Sequence, residues 1–384
     1  MKKISKNLIS FLMLIAITMP IMGCKSPTIP EHRITFNVGS AKEWNEAVYT
    51  IETGDAGESY VINVRNDFEL PGTENPTFGN ATDISVEIKG KYTLTQSSAG
   101  SLIYIGSGQN VTVSNIVMKG GVCVSGASAV FTMKEKATLE GIGGCGVLVT
   151  DHGILNMQDN ASIKKNATAV RIYSGGSFNM SGGTISDNHH SGMRTGCSGV
   201  WIKDGFFEMS GGTISKNTSQ GIGGDVFLEA RGDFTMSGGN ISRFIYIYSN
   251  SVFTMIEGNI AGSVNIGGNS IFTMLDGKIS NHSMAVYISG GGTFKMMNGT
   301  ISGSEANQGS GVSLSQYGKF VMFGGTIHGS QENDINRFTL HCPPTSNWVA
   351  QYGDETNILP HTDGHDTYTR HTIVGKQSRN ENKE

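Results

Sequence analysis

The chain has 384 residues, a net charge of −4 and 53 glycines, a glycine share about double the usual roughly 7%. Few Lys and Arg and only 16% charged residues exclude a dedicated nucleic-acid binder, which needs a basic face. The glycines follow no G-X-Y period, which excludes collagen, and 37% hydrophobic residues exclude overall disorder.

Residues 1–23 read as a signal segment. Lys2, Lys3 and Lys6 precede an apolar run from Leu8 to Ile21 that Pro20 interrupts. The run is too short and broken for a membrane span but suits a signal peptide. It ends in Ile21-Met22-Gly23-Cys24, which resembles a bacterial lipobox, although Met22 stands where a small residue is usual. The resemblance implies cleavage before Cys24 and acylation of that cysteine. It implies a bacterial envelope protein, lipid-anchored at the outer membrane or cell surface. The rival reading is an ordinary secretory peptide with an incidental cysteine. Residues 24–34, with Pro27 and Pro30, form a tether. In an oxidising compartment, Cys123, Cys145, Cys197 and Cys342 form an even set that permits disulfides in three pairings.

Residues 35–54 predict an N-terminal cap. Ser40 and Glu43 make a capping box, and Trp44, Ala47, Val48 and Ile51 put one apolar face on a short helix. Such a helix can cover the open end of a stacked structure.

Residues 55–330 carry an internal repeat. Phe-x-Met recurs at Phe131/Met133, Phe178/Met180, Phe207/Met209, Phe234/Met236, Phe253/Met255, Phe272/Met274, Phe294/Met296 and Phe320/Met322, with Leu155/Met157 as a variant. An isoleucine follows most of these methionines by five residues, as in Ile185, Ile214 and Ile241. A Val-x-Ile type pair precedes most of them by ten, as in Val170/Ile172 and Val226/Leu228. Apolar residues at i and i+2 place two side chains on one face of a strand. Each repeat, 19 to 29 residues long, therefore predicts three short strands joined by glycine-rich turns. A single coil cannot bury its own inward face, but stacked coils bury it together. About ten to twelve coils spaced about 4.8 Å apart predict a rod of roughly 50–60 Å.

From about Tyr60 to Ser330 the pattern resembles a right-handed parallel β-helix of the pectin-lyase-like superfamily. Its Phe-x-Met-Ser-Gly-Gly-Thr-Ile-Ser units resemble those of repeat-rich bacterial surface lipoproteins. The resemblance implies an all-β fold; because that fold hosts lyases, hydrolases, adhesins and spacers, it does not select an activity. Residues 331–384, polar and irregular, predict a C-terminal cap and flexible tail.

Between the two apolar residues of the first strand lies an outward position. Down the rod it reads Cys123, Leu148, Arg171, Trp201, Phe227, Tyr246, Asn265, Tyr287 and Ser313. Trp201, Phe227 and Tyr246, with Tyr287, Tyr173 and Tyr248 nearby, predict a flat aromatic platform for a glycan or host protein. The competing reading is stacking for stability alone. The long link from Ile185 to Val200 adds His189, His190 and Arg194 as ligand-binding candidates, beside a second long link from Ile214 to Val226.

The first alternative is a polysaccharide lyase or glycoside hydrolase using Asp204, Glu229, Arg171 and Lys203; no compact multi-Asp motif supports it. The second is a structural spacer. Arg231-Gly232-Asp233 matches an integrin-binding tripeptide in a turn expected to be exposed. Gly141, Gly143 and Gly146 match G-x-G-x-x-G, but Val147 begins a strand where a helix is required. His361, His365 and His371, with Asp363 and Asp366, read as solvated tail residues. No cofactor, metal or nucleic-acid partner is expected; the expected partners are a membrane, through the lipid, and a glycan or host protein.

Overall fold

The computed structural model describes residues 33–371 apart from 142, 192–195, 221–223, 281–284, 303–310, 316, 329–337, 342–348 and 353–369. Beyond Ile327 only the course of the backbone is described.

The chain winds into a right-handed parallel β-helix of about 11 turns. From Ile84 to His341 each turn contributes one strand to each of three sheets, whereas the turn that begins at Ser59 has none in the third. The valine sheet runs from Ile103–Ile105 to Phe338–His341, the phenylalanine sheet from Arg33–Val38 to Val349–Tyr352, and the isoleucine sheet from Phe68–Leu70 to Thr326–His328. Equivalent residues pair in register: Phe178 with Phe207 and Phe207 with Phe234, Met180 with Met209, Ile185 with Ile214. The one-residue slips at Val122 and Val200 leave the valine register intact, because Val122 still pairs with Val147 and Val200 with Val170. The turns to the following Phe-x-Met strands absorb the difference.

The two-residue period sends Phe, Met, Val and Ile inward, where nearly all are fully buried. Phe178, Phe207, Phe234, Phe253, Phe272, Phe294 and Phe320 form one column. Neighbouring rings lie 4.6–5.2 Å apart with planes within 19° of parallel. Phenyl rings fit this way because the coil rise matches the thickness of offset-stacked rings.

Methionine and glycine of the repeat are coupled across coils. At Gly258, φ is +119°, and a Cβ there would stand 2.6 Å from Met236 Cε of the preceding coil. The turn thus needs glycine both for its backbone angle and to leave room for the methionine methyl.

One helix, α1 (Ala41–Glu52), closes the N-terminal end. Ser40 Oγ accepts from Glu43 N at 3.3 Å, and Glu43 Oε2 accepts from Gly39 N at 2.7 Å, so the box forms with its return bond one residue earlier. Trp44, Ala47 and Ile51 are buried, with Trp44 against Phe68 at 6.4 Å. Strand Arg33–Val38 precedes this helix and pairs with Ser59–Val64. At the other end the coil continues past Ser330: Leu340 pairs with Val312, and Val349–Tyr352 with Lys319–Met322. Val349-Ala350-Gln351-Tyr352 lacks Phe-x-Met, which hides this coil from the repeat pattern. Phe338–His341 also pairs antiparallel with Arg370–His371.

Candidate functional site

The register places Arg171, Trp201, Phe227, Tyr246, Asn265 and Tyr287 in one line on the outer face of the valine sheet. Ring contacts run unbroken through Tyr173–Trp201 (6.3 Å), Trp201–Phe227 (6.1 Å), Phe227–Tyr248 (6.4 Å) and Tyr248–Tyr246 (6.3 Å), ending on Phe244. Phe244 was not expected in this group, although it precedes Tyr246 by two and so shares its face. Tyr287 stands apart, beyond Asn265.

The cluster is not a flat platform. Most of its planes meet at 41–62°, and Phe227 is only 6% exposed. A ring lying flat on the surface is wider than the coil spacing of about 4.8 Å, so these rings tilt and overlap edgewise. Trp201, Tyr173, Tyr246 and Tyr248 remain half-buried around a covered Phe227. Burial, as the main cause, raises the pKa of Tyr173, Tyr246 and Tyr248, so these phenols stay protonated and able to donate. Among the described residues, none of the three hydroxyls has a hydrogen-bond partner.

The polar rim is partly spent on internal contacts. The Arg171 guanidinium lies 5.2 Å from the Trp201 ring centre and has no carboxylate partner among the described residues; its Nε is buried without a hydrogen bond. Trp201 Nε1 donates to Glu229 Oε1 at 3.2 Å. Lys203 pairs in register with Glu229, one residue before the turn at Asp204. Asp204 meets Arg231 at 3.5 Å. The two candidate carboxylates thus face different partners, one an indole and one a guanidinium. In Arg231-Gly232-Asp233, Arg231 is exposed, whereas Asp233 begins a Phe-x-Met strand, half-buried.

Beneath the site a buried polar ladder secures the long links. Asn166 Nδ2 donates to Asn188 Oδ1 (3.0 Å), Asn188 Nδ2 to Asn217 Oδ1 (2.7 Å) and Asn217 Nδ2 to Asp225 Oδ1 (2.8 Å). Lys165, Asp187 and Lys216, each with φ of 56–57°, turn the following asparagine inward. Each asparagine stands three residues after its isoleucine, a spacing visible in the sequence but not singled out. In the links, His189–His190 pairs with Thr218–Ser219, and His189 Nδ1 lies 2.8 Å from Thr218 Oγ1. The two links therefore brace each other.

Cys197 is fully buried, with its thiol donating to Val200 O and Gly224 O. Cys123, Cys145 and Cys197 are free thiols, so no disulfide joins any two of them. Burial pushes the Cys123 and Cys145 thiols up to about 11 and raises Cys197 further, which disfavours the nucleophilic thiolate at all three. Cys24, Arg194, Cys342 and the tail group of His361, Asp363, His365 and Asp366 lie outside the described residues. No helix among the described residues is long and apolar enough to cross a membrane, and no group of three or more metal-ligating side chains occurs among them.

Comparison with protein-family models, curated proteins and solved structures found no match.

Proposed function

We propose that this protein is a lipid-anchored bacterial envelope protein of the pectin-lyase-like type, and that its rod binds a glycan through the tyrosine–tryptophan cluster. The anchor rests on the sequence at Gly23-Cys24 and the charged, apolar segment before it. The binding role rests on one observation: the tilted, half-buried rings of Trp201, Tyr173, Tyr246 and Tyr248 stand together on a rigid sheet, and the three tyrosine hydroxyls are unengaged among the described residues. Such side chains offer apolar faces to sugar C–H groups and donors to sugar oxygens. Arg171, without a carboxylate partner, adds a cation at the cluster's edge. A host protein remains the alternative partner for the same face.

An enzymatic role draws less support. Catalysis of glycoside hydrolysis needs two carboxylates placed across the scissile bond, and here Asp204 is paired with Arg231 while Glu229 accepts from Trp201. The spacer reading is supported by the regular core alone and leaves the outward aromatics without a role.

The test is retention on immobilised acidic and neutral polysaccharides and host matrix proteins, with product release followed in the same wells. Retention on a polysaccharide without products supports the proposal. Products transfer attention to Asp204 and Glu229, retention only on a matrix protein replaces the glycan, and neither retention nor products leaves the spacer.

A further inference from the structure

A second surface lies on the outer face of the phenylalanine sheet. On the coils Val252–Met255 and Ile271–Met274 the outward residues are Val252, Thr254 and Ile256, then Ile271, Thr273 and Leu275. The four apolar ones are each about two-fifths exposed. Met297 and Phe323 continue the last column at 41% and 37% exposure. On the three preceding coils the same column is Ser181, Ser210 and Ser237, whereas in the Val252 column Phe206, 53% exposed, lies beyond Asp233. A contiguous exposed apolar patch of this kind marks an interaction surface.

Along the rod, charge is arranged on either side of the patch with a polarity, while the exposed Glu257 and Asp276 stand at its edge beside Ile256 and Leu275. On its N-terminal side the outward residues include Glu208 and Asp233; on its C-terminal side they include Lys295 and Lys319. None of these four has a salt bridge among the described residues. The Asp233 carboxyl is raised, first by burial and then by Glu208, as expected where two acids share a face without a cation.

We infer that this face pairs with the same face of a second copy, the two rods running antiparallel about a two-fold axis between the Val252 and Ile271 coils. In that arrangement Val252 faces the partner copy's Ile271, Thr254 faces Thr273, and Ile256 faces Leu275. By the same register the coil of Asp233 comes opposite that of Lys295 and the coil of Glu208 opposite that of Lys319, each acid one outward position along the strand from the lysine, twice over. A two-fold interface requires this self-complementarity, and flat sheets pack face to face at about 10 Å. Six coils bury on the order of 1,200 Å² over two copies, the lower end of a stable interface. Antiparallel rods carry their N-terminal ends apart, so anchored copies would join facing surfaces; that consequence, unlike the pairing, rests on the lipid-anchor proposal.

The test is sedimentation of the full chain and two charge-reversed forms, Glu208→Lys with Asp233→Lys, and Lys295→Glu with Lys319→Glu. Glu208, Lys295 and Lys319 are exposed and Asp233 is half-buried on the same face, and an unchanged melting temperature verifies folding. The parent is expected to dimerise, each reversed form to dissociate about ten-fold or more readily, and an equimolar mixture of the two to recover the dimer. A monomeric parent overturns the inference and assigns the patch to residues 329–384 or to a foreign partner. Reversed forms that dimerise as well as the parent, or a mixture that stays monomeric, overturn the antiparallel register.

Discussion

Among the described residues, Asp225 is the only fully buried carboxylate, and it ends the asparagine ladder. Burial raises its pKa to about 6, against the lowering effects of the Asn217 donors and Arg243. A carboxyl raised in the folded state favours folding while protonated, and that contribution is lost as pH rises from about 4 through about 6. Melting temperatures between pH 4 and 8 should therefore fall through that window and level off above it. Asp225→Asn, which keeps an acceptor for Asn217, should flatten the slope; an unchanged slope would assign it to other groups. Asn188→Ala removes the acceptor of both Asn166 N and Asn166 Nδ2 and should cost about 3 kcal/mol or more by denaturant unfolding. The ladder is written in the sequence as asparagine three residues after isoleucine. By residue type alone, however, an asparagine in a turn reads as a surface residue, and only the positive φ before it turns it inward.

Among the elements, the phenylalanine column is the most regular part of the molecule. Phe253→Ala opens a gap between Phe234 and Phe272, each 4.6 Å from it, and should lower stability by about 3–5 kcal/mol. Gly258→Ala should be severe for a separate reason, since it strains φ and meets the Met236 methyl. Chemical denaturation of both variants against the outward-facing, half-buried Thr254→Ala measures this, and a Gly258→Ala loss no larger than that of Thr254→Ala would refute the coupling. Strands, coil order and inward faces were legible because a two-residue period fixes register. The tilt of the outer rings was not legible, because it arises from ring width against coil spacing, a distance that no residue pattern states. The last coil escaped for want of Phe-x-Met, although its backbone still pairs in register.

For the molecule as a whole, two faces of one rod carry different chemistry. The valine sheet presents tyrosine hydroxyls and Trp201, and the phenylalanine sheet presents an apolar, charge-flanked patch. They belong to different sheets and should act independently: Leu275→Lys should weaken self-association and leave polysaccharide retention unchanged, while Trp201→Ala should do the reverse. The sequence located the aromatic line and the long links. It did not reveal which polar groups the fold would occupy internally, such as Glu229 with Trp201 and Asp204 with Arg231, because those contacts join residues of different coils. The most direct test is the dissociation constant of the parent and Trp201→Ala for the polysaccharide that the parent retains, measured by calorimetry beside their melting curves. Loss of about ten-fold in affinity with unchanged melting is the expected result; equal affinity in the two proteins would contradict binding through this face.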